Sequence, residues 1–324
     1  LGVCFPVIMF VSALSGLVGM GGGSRAVVRM GAGQDEEANA ILGGCATLLV
    51  ILSVLFTVVL QVVKEPMLYL FGATDNTIGY AMDYLGIYLS GTIFVELSLG
   101  LNFFITAQGF STVGMATVLI GAVVNIVLDP VFIFGLNMGV SGAALATITA
   151  QAVSAVWVVC FLKGRRTKLR LQRRFARLDW KVLSPVLALG VAPFIMQSTE
   201  SLVNIAFNSS LKAYGGDPAV GAMTICSSIM QVFYLLFQGL SQGAQPIVGY
   251  NYGAGNLDRV KKTFRLLFVC ALTFSTLSCL AIELFPGVFV AMFNDKPELV
   301  EIAVWTLRVY AAGMFMLGVQ NACQ

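Results

Sequence analysis

Histidine is absent from this 324-residue sequence, and charge is scarce: Lys, Arg, Asp and Glu together supply 11% of the residues. Without histidine there is no imidazole zinc ligand, no Ser-His-Asp triad and no Cys-His dyad. A soluble domain carries about 25% charged and about 45–50% apolar residues. Here 58% are apolar and the mean hydropathy is +0.88. That balance excludes an ordinary globular enzyme, a nucleic-acid binder and a disordered chain. The seven cysteines (Cys4, Cys45, Cys160, Cys226, Cys270, Cys279 and Cys323) form no CxxC pair and sit in or beside apolar runs. They read as small buried hydrophobes and define neither a disulfide framework nor a metal site. The chain opens inside an apolar run, with no positive segment or small-residue cleavage site ahead of it, so its start reads as the middle of a longer sequence and not as a signal peptide.

Apolar runs do abound. A helix needs about 20 largely apolar residues to cross the hydrocarbon core. Such runs fall at about 1–20, 39–63, 80–105, 111–136, 139–162, 181–208, 218–240, 266–291 and 300–321. None alternates in polarity as a barrel strand would. The expected fold is an all-α polytopic membrane protein with nine helices in this chain. The connections holding Arg25 and Arg29, the basic stretch Lys163–Lys181, and Arg259, Lys261, Lys262 and Arg265 all lie on one side. Only Lys64, Lys212 and Lys296 lie on the other. The positive-inside rule then puts the basic side in the cytoplasm and the protein in the cell membrane. The basic stretch reads as a topology determinant between two halves; binding of anionic lipid is the alternative.

Shifting the chain by 222 residues lays Gly31-Ala32-Gly33 on Gly253-Ala254-Gly255, and Phe71 on Phe293. The same shift lays Ala81, Leu85, Tyr88 and Gly91 on Ala303, Leu307, Tyr310 and Gly313 without a gap. A repeat of that length implies six helices per unit and two parallel lobes, twelve helices in all. The nine runs divide into an N-lobe at 1–162, a basic linker at 163–180 and a C-lobe at 181–324. On this count one helix is expected before the chain and two after it.

The run Asn125-Ile-Val-Leu-Asp129-Pro130, continuing to Gly135 and then Gly139-Val-Ser-Gly-Ala-Ala-Leu-Ala-Thr147, resembles the fifth and sixth helices of the MATE (multidrug and toxic compound extrusion) family. Gln245-Pro246-Ile-Val-Gly249-Tyr-Asn251-Tyr-Gly253-Ala-Gly255-Asn256 resembles the end of that family's eighth helix. The resemblance covers the chain as family helices 2 to 10 of twelve. It implies a monomeric antiporter without cofactor, exporting amphiphilic, often cationic compounds in exchange for protons or sodium ions by alternating access.

Ionisable groups at bilayer depth are costly and usually functional. Asp129 and Asn125 stand four residues apart on one helix face. A carboxylate and an amide oxygen suit a hard cation, or a proton with water, and Thr147 adds a hydroxyl. The resemblance implies that matching Asn, Asp and Thr positions help form a cation site together with an Asp on the family's first helix, which these 324 residues do not include. The alternative is that Asp129 ties down backbone freed by Pro130. Gln197, Glu200, Asn204 and Asn208 form a polar stripe at helical spacing. They read as a cavity wall with Glu200 as a proton carrier, or as an interhelical hydrogen-bond network. Glu96 lies well inside its helix, where cavity lining and helix pairing are both open. Arg308, the one basic residue deep in a span, calls for a carboxylate partner, either Glu301 or one from another helix. The run Gly19-Met-Gly21-Gly22-Gly23 reads as close helix packing or a helix end and not as a phosphate loop. A lipid-linked saccharide flippase of the same superfamily is the competing function, but its cavity should be lined with Arg and Lys.

Overall fold

The computed structural model describes residues 4–71, 73–293 and 297–323. Within its helices the side chains of 197, 198, 200–202, 204, 205, 208, 209, 212, 213, 217, 218, 297, 298 and 315 fall outside that description. Every regular element among the described residues is helical. In order they are α1 Phe5–Gly31, α2 Asp35–Leu70, α3 Ile78–Ser90, α4 Thr92–Ala107, α5 Ser111–Pro130, α6 Gly139–Lys163, α7 Trp180–Gly253, α8 Leu257–Leu284, α9 Pro286–Ala291, α10 Pro297–Ala311 and α11 Met314–Cys323.

Six of these segments are long and apolar enough to cross a membrane, and eight if each bent pair is one span. The bent pairs are α3 with α4, at 56°, and α10 with α11, at 48°. Within α7 the backbone breaks at Gly216, whose φ of 66° is open to glycine. The piece before the break includes the shorter apolar helix Trp180–Met196. The helices outrun the apolar runs at the basic side, because helical geometry needs no apolar residues once it leaves the hydrocarbon. Asp35, Glu36 and Glu37 occupy the first turn of α2, where the helix dipole favours negative charge. Two of them pair with basic residues nearby: Arg29 with Glu37 at 3.3 Å and Arg174 with Glu36 at 3.2 Å. The run expected at 266–291 is split after Leu284, since Pro286 cannot continue a helix whose amide it lacks.

The chain divides into two compact units, Leu1–Gln197 and Ser198–Gln324. In the first, α1 packs most extensively on α4, and α4 in turn on α2 and α6. Leu183 and Val186, just past the basic stretch, belong to a core with Leu42, Leu49 and Phe104. In the second, Phe237, Ile282, Leu307 and Met314 form the core. The glycine run of α1 is helical throughout and serves close packing. A Cβ on Gly22 would fall 2.5 Å from the Phe104 ring, and one on Gly21 would collide with the Val186 carbonyl. Side chains such as Val58 and Val62 of α2 or Ile126 and Val127 of α5 are exposed, as lipid-facing residues must be.

The 222-residue repeat is physical. Gly33 and Gly255 both turn the chain at φ +75°. Gln34 N bonds Arg29 O at 2.9 Å, and Asn256 N bonds Asn251 O at the same distance. The Cys4 thiol meets Ala81 O at 3.7 Å, and its counterpart Cys226 meets Ala303 O at 3.5 Å. Each unit thus builds the same contacts from equivalent positions.

Candidate functional site

Helix α5 sets Asn125 and Asp129 one turn apart, and they touch: Asn125 Nδ2 donates to Asp129 Oδ1 at 3.3 Å. Both are half-buried. Directly after them Pro130 denies the helix an amide, and the backbone continues through one π turn over Val131–Gly135. Thr147 of α6 donates its hydroxyl to Ala143 O at 2.9 Å, which leaves its oxygen lone pairs to accept. Tyr84 of α3, itself buried, stands beside Thr147 and within electrostatic reach of Asp129. Three helices therefore bring a carboxylate, an amide and two hydroxyls to one neighbourhood.

A cavity of about 240 Å³ opens beside this group, between α4, α5 and α6. Its polar lining includes Ser98, Asn102, Thr117, Asn125, Thr147 and Gln151. Ser98 Oγ donates to Gln151 Oε1 at 2.5 Å across the α4–α6 interface. Asn102 Nδ2 donates to Gly114 O at 3.3 Å, while its buried Oδ1 has no protein partner. Drug-sized ligands occupy pockets of roughly 300–1,000 Å³, and a water takes about 30 Å³. At about 240 Å³ the cavity is below that range and has room for several waters or a hydrated ion. The sequence analysis singles out Asn125, Asp129 and Thr147 but not Tyr84, Ser98 and Gln151. A signal was present: Gln151 follows Thr147 by four residues in a helix that otherwise needs no polar face.

Glu96 lies elsewhere. It is fully buried and does not line this cavity. Ser15 of α1 approaches it, but the Ser15 hydroxyl is directed to Val11 O at 3.4 Å, and neither Glu96 oxygen has a hydrogen bond of ordinary geometry. Gln197, Glu200, Asn204 and Asn208 fall on the helical backbone of α7, and their side chains lie outside the described residues. Arg308 meets Glu283 of α8 at 3.9 Å, so its carboxylate comes from another helix and not from Glu301.

The model for the family described as MatE matches residues 1–131 and 193–324, one stretch in each half of the repeat. The chain belongs to the MatE family. It is a multi-pass membrane transporter and not an enzyme. Among proteins similar to this MatE chain is the multidrug export protein MepA of Staphylococcus haemolyticus (strain JCSC1435), 26% identical over 316 residues, or 97% of this chain and 69% of that protein. MepA of Staphylococcus aureus (strain N315) is 25% identical over 319 residues, with the same two shares. A crystal structure of MATE in the bent conformation superposes with a TM-score of 0.93 at 23% identity, over 99% of this chain and 71% of that one. An outward-facing multidrug resistance MATE transporter of the MOP superfamily gives a TM-score of 0.90 at 23% identity, over 99% and 72%. These likenesses establish the MATE fold.

Proposed function

We propose that this MatE chain exports amphiphilic, often cationic organic compounds in exchange for protons or sodium ions, by alternating access across the cell membrane. The observation that carries the coupling part is the Asn125–Asp129 contact at 3.3 Å, set beside Thr147, Tyr84 and a cavity of ion and water size. The multidrug export relatives support the substrate class. Asp129 supplies the charge, Asn125 and Thr147 supply neutral oxygens, and the cavity admits the ion with its water. An ion gradient drives export only if site occupancy shifts the balance of outward-open and inward-open states. A site assembled from three helices meets that requirement, because moving any one of them changes the oxygen set. Gln197, Asn204 and Asn208 belong to the wall of the substrate cavity in this reading, with Glu200 as its proton carrier. The spacing of the four supports that assignment. The chain acts as a monomer, with the basic stretch Lys163–Lys181 in the cytoplasm. A flippase for lipid-linked saccharides is less favoured, since the Arg308 guanidinium on α10 is paired with Glu283.

The test is Asp129→Asn in proteoliposomes, with proton and sodium gradients imposed separately. Asn keeps the size and the contact to Asn125 but removes the ionisable group. Gradient-driven efflux should collapse while membrane insertion persists. Efflux at the unmutated rate would make Asp129 structural and defeat this assignment.

A further inference from the structure

We infer that Glu96 is a further proton-carrying residue, sealed within the interface of α1, α2 and α4 and wetted when that interface loosens during transport. The inference rests on the reading of the chain as a cation-coupled exporter, and it uses a residue apart from the Asp129 group.

The placement follows from helix register. On α4, Gly100 packs against Leu49 of α2, to which an added Cβ would come within 2.6 Å. One turn outward on both antiparallel helices, the same register sets Ser53 opposite Glu96 and Thr57 opposite Thr92. Further along, Thr57 Oγ1 donates to Leu89 O of α3 at 2.8 Å. From α1, Ser15 completes the surroundings. Ser15, Ser53, Thr92 and Glu96 are all fully buried. The hydroxyls of Ser15 and Ser53 donate to carbonyls of their own helices. Thr92 Oγ1 and both Glu96 oxygens are left without partners. Among the described residues no cation faces Glu96 from any packed helix, and Tyr88 of α3 is the titratable group within its reach. An isolated carboxylate in such a place costs far more than a neutral carboxylic acid.

The repeat shows that packing does not demand an acid here. The 222-residue shift carries Ser53 to Ser275, Thr92 to Met314 and Glu96 to Gly318. In the second unit Ser275 Oγ donates to Met314 O at 2.7 Å, and a Cβ on Gly318 would fall 2.6 Å from the Ser275 side chain. The equivalent of Ser15 is Phe237, which is buried. One unit thus fills the interface with a phenylalanine and a glycine, and the other with a serine and a glutamate. An aliphatic side chain would fill the same volume as Glu96 without orphaned oxygens. A carboxyl retained against that cost, at bilayer depth, is suited to gaining and losing a proton as water reaches it.

The experiment uses the whole chain in proteoliposomes and two readouts. Dicyclohexylcarbodiimide, which reacts with protonated carboxyls in apolar surroundings, should modify Glu96, read by peptide mass spectrometry, and the modification should fall as pH rises. Binding of ethidium, a hydrophobic organic cation, should release protons. Glu96→Gln, which preserves volume and neutrality, should lower the protons released per ethidium by roughly a third, as loss of one of three linked sites, with Asp129 and Glu200, requires. Absence of modification at Glu96 across the pH series would overturn the inference, and so would an unchanged proton release from the Gln variant. If the unmutated chain fails to bind or export ethidium, the export reading falls, and the carbodiimide result on the unmutated chain still decides whether Glu96 holds a proton.

Discussion

Gly19→Ala adds one methyl group where α1 packs against α4, the most extensive helix pair in the first unit. The added Cβ would stand 2.5 Å from Phe103 Cδ2, 2.6 Å from the Gly100 carbonyl oxygen and 3.0 Å from Gly100 Cα. Carbon atoms pack comfortably at about 3.5–4.0 Å. The phenylalanine ring can rotate aside, but the Gly100 backbone can move only if a helix moves. The two axes must therefore separate by roughly 1 Å at this point. Overpacking of this kind costs about 1–3 kcal/mol. Against it stands the gain in helix propensity from Gly to Ala, up to about 1 kcal/mol. The net expectation is a loss of about 1–2 kcal/mol.

Gly239 provides the internal control. It is exposed on α7, and an added Cβ meets nothing within 4 Å, so Gly239→Ala keeps the propensity gain without a clash. The two variants should move apart by about 2–3 kcal/mol, which is several degrees in the midpoint of thermal unfolding at roughly 2–4 °C per kcal/mol. Midpoints are read on purified protein in detergent, by tryptophan emission or by the monomer peak surviving heating. Equal midpoints, or a stabilised Gly19→Ala protein, would refute the claim that glycine is required by helix contact there.

Two other expectations concern topology and the Arg308–Glu283 pair. After the exposed native cysteines Cys160, Cys270 and Cys323 are replaced by serine, Asn256→Cys should resist an impermeant thiol reagent outside intact cells and Asp75→Cys should react; the reverse pattern would invert the assigned orientation. Arg308 and Glu283 are both about half exposed at 3.9 Å, so a double-mutant cycle with Arg308→Gln and Glu283→Gln should give a coupling of about 1 kcal/mol or less. A coupling above about 2 kcal/mol would mean that the pair is desolvated and holds α8 to α10.

Much of this architecture was legible because a bilayer imposes a simple rule, a run of apolar residues for each crossing. The same rule hid the bends. Residues 80–105 read as one run, yet the helix breaks at Gly91, where a Cβ would fall 2.5 Å from the Ile148 side chain of α6. Apolarity is uniform through that break and carries no sign of it. The sign lay in the repeat, which pairs Gly91 with Gly313, and the second unit bends in the same place. Within the candidate site, Asn125 and Asp129 were legible because four residues along a helix make neighbours. Tyr84, Ser98 and Gln151 were not, because their meeting depends on which faces α3, α4 and α6 turn to one another. Glu96 shows the limit of reading depth alone. Its position marked it as costly, but whether it faced a cavity or another helix was decided by the small residues around it, Gly100 on its own helix and Ser15 on α1.

That last case also shows how an internal repeat separates packing from chemistry. Two interfaces of the same geometry within one chain must each fill their space, and any residue that does only that can be exchanged for an apolar one. Where the second unit places Phe237 and Gly318, the first places Ser15 and Glu96. The exchange keeps the helices in register, as the paired thiol contacts of Cys4 and Cys226 record. What it adds is an ionisable group with no partner in the closed interface. Stability alone opposes that addition, because an orphaned buried polar group costs about 1–3 kcal/mol and a charged one more. A compensating benefit must arise in a state where the interface is open, and alternating access supplies such a state. The asymmetry between Glu96 and Gly318 is therefore the feature of this fold that favours a proton site in the first unit over a purely structural role for its buried acid.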